Sequence, residues 1–292
     1  MNSVLNKYYK IADLGLRVSM PQEWSPDEGG ILQDFISSEE QFEYSVVIDV
    51  VDQLSPPKGE LVYTELSKSI YNYNTEYIRY DGYVSDGWES AYMRICNSER
   101  YKSVQIKRSS VPNKIESKIL ARSMELEHVL ALNQGIILHA SYIEYQGKAI
   151  LFTAPSGTGK STQAELWGKY YKAKLINGDR AAIRVLDDGI YVWGVPFSGM
   201  SFVTQNIKLP LAAIVYLTQS PINSVLQLLG AKAFRRIWEG CSINVWYDED
   251  IQNCSQTVTE IVNQVPIVFL GCTPDKRAVD ILHHELERLD RI

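Results

Sequence analysis

The chain has 292 residues, 45% hydrophobic and 22% charged, which describes an ordinary soluble globular protein with material for one large or two modest domains. Its 29 basic and 35 acidic residues leave a net charge of −6, which argues against a broad nucleic-acid surface. No apolar run approaches the ~18 residues of a membrane span, the opening Met1-Asn2-Ser3-Val4-Leu5-Asn6-Lys7-Tyr8 lacks the order of a signal peptide, and Cys96, Cys241, Cys254 and Cys272 are scattered without a C-x-x-C pair, as free or buried thiols of a reducing cytoplasm are.

In chain order, the first 111 residues are β-rich. Segments 8–18, 42–51, 77–83, 90–96 and 103–108 carry β-branched or aromatic residues between turn formers. Val104-Gln105-Ile106-Lys107 alternates apolar with polar, the pattern of a half-exposed antiparallel strand. Ser55-Pro56-Pro57-Lys58-Gly59 and Asp86-Gly87 break the run. No catalytic constellation stands out, and residues 1–111 are expected to form a small β-rich N-terminal domain, with a second domain over 112–292.

The character changes at Pro112-Asn113, where Asn113 with Glu116 makes a variant of the capping box. Ile115, Ile119, Leu126 and Leu130 predict a helix that Gly135 ends. A strand over 136–143 and a turn at Gln146-Gly147-Lys148 follow. They lead into Ala149-Ile150-Leu151-Phe152-Thr153, the continuous apolar run of a buried parallel strand.

The next nine residues, Ala154-Pro155-Ser156-Gly157-Thr158-Gly159-Lys160-Ser161-Thr162, fit the pattern A/G-x-x-x-x-G-K-S/T of a phosphate-binding loop. The chemistry follows from the residue types. Glycines let backbone N–H groups turn inward, so that the stretch from Ser156 to Thr162 can cradle phosphate oxygens. Lys160 reaches the outer phosphates, and the Ser161 hydroxyl suits a magnesium ion. Ala164, Trp167 and Tyr171 then step at helical spacing, so a helix points its positive end at the phosphates. Strand, glycine loop and helix start is the context the motif requires, and it predicts a nucleoside triphosphate site. Ala154 stands where many such loops have glycine.

Downstream, 174–177 and 181–185 are strand material broken at Gly178-Asp179, and Asp187-Asp188-Gly189 signals a hairpin before Ile190-Tyr191-Val192. A buried strand is expected over 211–217, a helix over 231–238 and a late strand over 265–270. A final helix has Thr273 as cap, Pro274 in its first turn, and Val279, Leu282 and Leu286 as its stripe. Three features bear on chemistry. Asp179, nineteen residues after Lys160, lies at a strand tip, where ligands of α/β sheets bind and where a phosphate loop needs its partner acid. His139 sits on the strand before the loop strand, as either a packed or a functional residue. The segment from Trp193 to Met200, with Gly and Pro around Phe197, has the makings of a shaped loop or of a plain connector. His283 and His284 are neighbours on a helix, diverge by about 100° and cannot share one metal; they are expected at its end.

Leu138-His139-Ala140-Ser141, Gln146-Gly147-Lys148, the phosphate loop, Asn177-Gly178-Asp179-Arg180, the loop from Gly194 to Gly199, the strand from Pro210 to Leu217, and Cys272-Thr273-Pro274-Asp275 together resemble the HPr kinase and ATP-utilising PEP carboxykinase superfamily, particularly its HPr-kinase-like proteins. The fifteen-residue step from His139 to Ala154 is similar to the family's spacing. The resemblance implies an α/β chain, α+β overall, with a P-loop kinase core on a mixed central sheet behind the β-rich N-terminal domain. It implies ATP, Mg2+ and phosphoryl transfer to a serine-type hydroxyl of a peptide, a protein or a small molecule, as in serine kinases of modified-peptide pathways, and assembly into rings or dimers. Lys160, Asp179 and His139 become the catalytic candidates, with Ser161 and Asp179 for the metal. The family commonly has two adjacent acids at the strand tip; here the first is Gly178. Two alternatives stand beside a kinase. One is a nucleotide-binding regulatory module without catalysis. The other is a carboxykinase-like enzyme, for which Arg180, Arg235 and Arg236 are the available cations.

Overall fold

The computed structural model describes residues 3–26, 30–65, 67–74, 76–83, 88–96, 100–111, 115–197 and 203–292, with backbone alone at 82–83, 88–96 and 110. The breaker Asp86-Gly87, the helix start at Pro112-Asn113 and the Ser198-Gly199-Met200 end of the shaped loop lie outside the described residues. The chain is mixed α and β and divides into two compact units, Met1–Glu125 and Leu126–Ile292, a division that falls beyond the composition change at 111/112.

The first unit is an eight-stranded sheet. Its strands are β1 (Val4–Ile11), β2 (Leu14–Pro21), β3 (Tyr44–Val51), β4 (Glu60–Glu65), β5 (Lys68–Tyr73), β6 (Glu76–Tyr83), β7 (Trp88–Cys96) and β8 (Tyr101–Lys107), in the order β1-β2-β3-β8-β7-β6-β5-β4. The segment expected as one strand over 8–18 is a hairpin. Ala12 and Asp13 both take positive φ, 53° and 62°, so the chain reverses where the apolar pattern runs on without a break. β4 and β5 escaped the sequence reading because β4 has no buried face from which a period could be read. In β8, Lys102, Val104 and Ile106 alternate inward as expected, but the strand is antiparallel only to β7 and runs parallel to β3.

The helix expected from 113 to Gly135 is two helices, α1 (Ser117–Met124) and α2 (Leu126–Ala131), because Glu125 turns left-handed with φ 49°. The cost of that conformation is met by the carboxylate, which is buried between two cations: Arg79 Nη1 and Lys102 Nζ each lie 3.6 Å from it. Lys102 Nζ also donates to the Met124 carbonyl at 2.7 Å, answering an orphan carbonyl at the end of α1. Gly135 does not stop a helix; it opens the next strand.

The second unit has a nine-stranded mixed sheet. Its elements are β9 (Gly135–Tyr145), β10 (Lys148–Thr153), α3 (Lys160–Tyr171), β11 (Lys174–Asn177), β12 (Arg180–Leu186), β13 (Gly189–Gly194), β14 (Lys208–Gln219), β15 (Ser224–Leu228), α4 (Gly230–Trp238), β16 (Cys241–Ser242), α5 (Asp248–Gln264), β17 (Ile267–Cys272) and α6 (Lys276–Arg288). The path is β10-β9-β12-β13-β14-β17-β15, with β11 and β16 added on β9 and a further parallel pairing of β10 with β14. β9 and β14 are long enough to pair with different partners along their length, which closes β10, β9, β12, β13 and β14 into a ring.

Alternation along the strands supplies two cores. Leu138, Ala140, Tyr142, Leu151 and Ile214 pack with Ile237 of α4 and Val258 and Ile261 of α5. Ile143, Ile150, Phe152 and Val215 pack with Trp167 of α3 and Val279, Leu282 and Leu286 of α6. The three parallel strands β10, β14 and β17 therefore end together, and their C-terminal loops share one edge of the sheet.

Helix α5 went unread because its buried face mixes Cys254 and Thr257 with Val258 and Ile261, which weakens the apolar period; Asp248, Glu249 and Asp250 in its first turn were the available signal. The cap of α6 is Asp275, whose carboxylate accepts from Ala278 N at 3.3 Å. Thr273 is committed elsewhere, its N–H donating to Asn223 Oδ1 at 2.8 Å, so Pro274 lies before the helix and not in its first turn. His283 is no frayed helix end: it is buried, stacked on Tyr171 at 4.3 Å and bonded through Nε2 to the Tyr145 hydroxyl at 3.1 Å.

Candidate functional site

The chain leaves β10 at Thr153 and turns through residues 154–159 into α3. Gly157 and Gly159 adopt φ of 77° and 115° with open space around them, so it is backbone conformation, not crowding, that requires glycine there. The first N–H groups of α3 have no intrahelical acceptor and face the loop with the helix's positive end. Ser161 and Thr162 are exposed on this first turn. Lys160 is buried along its length, and its Nζ donates to the carbonyls of Ala154 at 2.9 Å and Pro155 at 3.4 Å. Burial lowers its pKa, and the negative charge of Asp179 pulls it back up.

A cleft of 580 Å³ opens beside this loop. One wall is Gly157, Thr158, Gly159, Thr162 and Gln163; the other is the loops after β14 and β17, including Ser220, Pro221, Thr273 and Pro274. Asn223 locks those two loops together through Thr273, and Gln219 Nε2 reaches across to the Gly157 carbonyl at 3.4 Å. Gln163 is buried; its Nε2 meets Cys272 Sγ at 3.4 Å while its Oε1 has no hydrogen-bond partner among the described residues. A volume of this size and a wall of helix-terminal N–H groups suit a phosphate-bearing small molecule.

Within electrostatic reach of Lys160 lies a charged cluster built by the pairing of β9 with β12 and by the β11–β12 turn. Ala140 N donates to Asp179 O at 3.0 Å, which brings Asp179 beside His139. His139 Nδ1 is 3.4 Å from Asp179 Oδ1, and Arg180 Nε is 3.6 Å from Asp179 Oδ2. About a third or less of each side chain is exposed, 35% for His139, 27% for Asp179 and 34% for Arg180. The His139 pKa lies below the usual imidazole range, first because of burial and then because of the Lys160 cation, against the opposing pull of Asp179. At neutral pH the imidazole is therefore uncharged, and it touches the acid without neutralising it.

The cluster rests on a residue that reading by motif passed over. Asn177 is fully buried; its Oδ1 accepts from Asp179 N at 2.9 Å and Arg180 N at 3.1 Å, and its Nδ2 donates to the carbonyls of Val195 and Phe197, each at 3.0 Å. One amide thus sets the strand tip that carries Asp179 and ties it to the start of the Trp193–Met200 loop. An Asn immediately before Gly178-Asp179 was the sequence signal for this Asx-type arrangement. Arg180 is further held by Glu127 Oε1 and Ser242 Oγ, each at 3.4 Å, with its guanidinium 5.4 Å from the Phe197 ring centroid.

The structure brings His139, Lys160 and Asp179 together, with Arg180 beside them. It does not bring Arg235 and Arg236 there: both lie on α4 and pair with Glu239 at 2.8 and 3.0 Å. Asp187 and Asp188 occupy the β12–β13 hairpin, where Asp188 accepts from the Tyr191 hydroxyl. Cys241, Cys254 and Cys272 are free, and burial raises all three thiol pKa values, that of Cys254 to about 12. Among the described residues no three His, Cys, Asp or Glu side chains form a metal cluster, and no helix is long and apolar enough to cross a membrane. Magnesium does not need such a cluster. It binds through one or two protein oxygens plus phosphate and water, and the pair offered here, the partly exposed Asp179 carboxylate and the exposed Ser161 hydroxyl, fits that donor set.

No family model matches the chain, and no curated protein matches it. Among solved structures, one described as the Hpr(Ser) kinase/phosphatase from Coxiella burnetii aligns with a TM-score of 0.32 and 11% identity, covering 53% of this chain and 97% of that one.

Proposed function

We propose that the second unit is an ATP-dependent phosphotransferase that moves the γ-phosphoryl group to a serine-type hydroxyl. One arrangement carries the reading: a glycine loop with helix-terminal N–H groups and a buried lysine, beside a cleft of nucleotide size, lies within electrostatic reach of a carboxylate that an imidazole contacts. A bare phosphate site has no use for that acid.

In this reading the amides from Ser156 to Thr162 hold the phosphate oxygens, and Lys160 exchanges its contacts with the loop carbonyls for the β and γ oxygens. Ser161 and Asp179 would hold Mg2+, which supplies neutralisation of the phosphate charge when bound. In the same reading Asp179 also takes the proton of the acceptor hydroxyl. The uncharged His139 fixes the carboxylate without protonating it, and Asn177 fixes its backbone. Gly178 leaves this one acid with two tasks. Phosphoryl transfer through a loose transition state depends more on positioning and charge stabilisation than on the base, so one acid suffices. The free cysteines fit a protein working in the cytoplasm.

The test is ADP formation with ATP, Mg2+ and serine-bearing peptides or free serine as acceptors. Acceptor-dependent turnover that disappears in Lys160→Ala supports the reading; equal turnover in that variant refutes it. The single acid and its crowding by Arg180 favour a second reading, a nucleotide-binding module without catalysis, which predicts ATP binding with no acceptor-dependent ADP. A carboxykinase is disfavoured, because Arg235 and Arg236 lie on α4 and not in the cluster of His139 and Asp179.

A further inference from the structure

Away from the cleft, β15 ends the sheet of the second unit: it pairs with β17 on one edge, and among the described residues no strand covers the other. An open edge offers a row of N–H and C=O groups to any extended chain. Leu226 is half exposed, and it pairs with Phe269 of β17, which pairs with Tyr216 of β14, so three apolar side chains form one row across the sheet. Helix α4 borders the row. Together Leu226, Leu228, Phe269, Lys232, Arg235 and Arg236 enclose a groove of 400 Å³ with three cations and no carboxylate in its lining. Arg236 lies over the Tyr216 ring at 4.7 Å and shares Glu239 with Arg235, whereas Lys232 has no acidic partner among the described residues. In a chain of net charge −6 this is a local reversal of sign.

The groove is joined to the catalytic cluster by backbone. Tyr216 pairs with Thr153, the last residue of β10, whose hydroxyl donates to the His139 carbonyl at 2.9 Å. Helix α4 is followed by Gly240, whose carbonyl accepts from His139 N at 2.8 Å and whose added Cβ would meet Thr153 Oγ1 at 2.9 Å. Two residues on, Ser242 touches Arg180.

We infer that the groove between β15 and α4 docks an extended peptide segment whose groove-facing positions, every second residue, alternate acidic with aliphatic, and that this segment belongs to the phosphoryl acceptor. The open edge supplies main-chain pairing, Leu226 and Phe269 take the aliphatic side chains, and Lys232, Arg235 and Arg236 take the carboxylates. The binding site stands on the groove alone; its assignment to the acceptor rests on the kinase reading above.

The test is fluorescence anisotropy of the full chain with a labelled, end-capped peptide repeating Glu-Ser-Leu-Ser, without ATP. The expected result is binding of this probe and not of its Lys-Ser-Leu-Ser counterpart, weakened about tenfold by Lys232→Glu with Arg235→Glu and by Leu226→Lys, all at exposed positions, with unchanged affinity for ATP. Equal binding of both peptides, equal binding by the variants, or binding only to phosphatidylserine vesicles would overturn it. Grafting the acidic segment onto a serine-bearing peptide should lower its KM with kcat unchanged. Probe binding without any acceptor-dependent ADP would keep the groove and remove its link to a kinase, whereas ADP formation without probe binding would do the opposite.

Discussion

Each of the two units buries an acid between basic groups, and the difference between the two arrangements separates a structural lock from a candidate site. In the first unit the Glu125 side chain has no exposed surface, its partners Arg79 and Lys102 are 11% and 6% exposed, and Arg79 is also forked onto Asp81 at 2.8 and 3.0 Å. In the second, Asp179 remains 27% exposed, its contacts with His139 and Arg180 are 3.4 and 3.6 Å, and a cleft opens beside Gly159. Similar charges serve opposite ends. Desolvated charges closed off from water can only hold elements together, whereas loosely held charges that keep some exposure can exchange their partners for a ligand.

The comparison can be broken from either side. Lys160→Ala should reduce acceptor-dependent ADP formation by about 10³-fold or more while leaving the urea midpoint nearly unchanged. Asp179→Asn should cost on the order of 10²–10⁴ in turnover, again with an intact fold by circular dichroism. Glu125→Gln should do the reverse: it removes the buried carboxylate charge that Arg79 and Lys102 share, lowers unfolding free energy by about 3 kcal/mol in urea, and leaves turnover per folded molecule unchanged. If Glu125→Gln abolished turnover in folded protein, or Asp179→Asn unfolded the chain, the distinction would fail.

Asn177→Ala sharpens the line because Asn177 belongs to both sides. Losing four buried hydrogen bonds should cost about 2–3 kcal/mol and also reduce turnover, since the Asp179 backbone loses its anchor. The smallest effect is that of His139→Gln on the pH dependence of stability. The folded-state pKa of His139 lies below its unfolded value of about 6.5, so as pH falls the unfolded chain takes up the proton first. Stability contributed by the neutral imidazole is complete above about 6.5 and falls as pH drops towards the lower folded value. Thermal melts across that window should therefore show a flatter decline in His139→Gln than in the unchanged chain.

Much of the second unit was legible in the chain. The apolar run before Ala154, the glycines of the loop and the stripe of α6 each state a local requirement that no distant residue modifies. Where a pattern was weak, reading stopped short: β4 has no buried face, and α5 mixes Thr and Cys into its packed side. Where a strong pattern continued through a reversal, reading ran on, as across Ala12-Asp13 and through Glu125. The helix from 113 could not be seen to break, because the cause is Arg79 and Lys102, each more than twenty residues away, folding onto one carboxylate.

The sequence by itself determined the local pieces of the candidate site: a strand, a glycine loop, a helix start with its lysine, and an acid at the tip of another strand. These follow from backbone conformation and short-range periodicity. Only the tertiary structure decided which pieces meet. Pairing of β9 with β12 sets His139 against Asp179, the parallel ends of β10, β14 and β17 make the cleft, and α4 sets Arg235 and Arg236 at the groove beside β15 and not at the glycine loop. The physical reason is register. A strand's pattern says which residues face inward, but the partner strand decides which of them become neighbours.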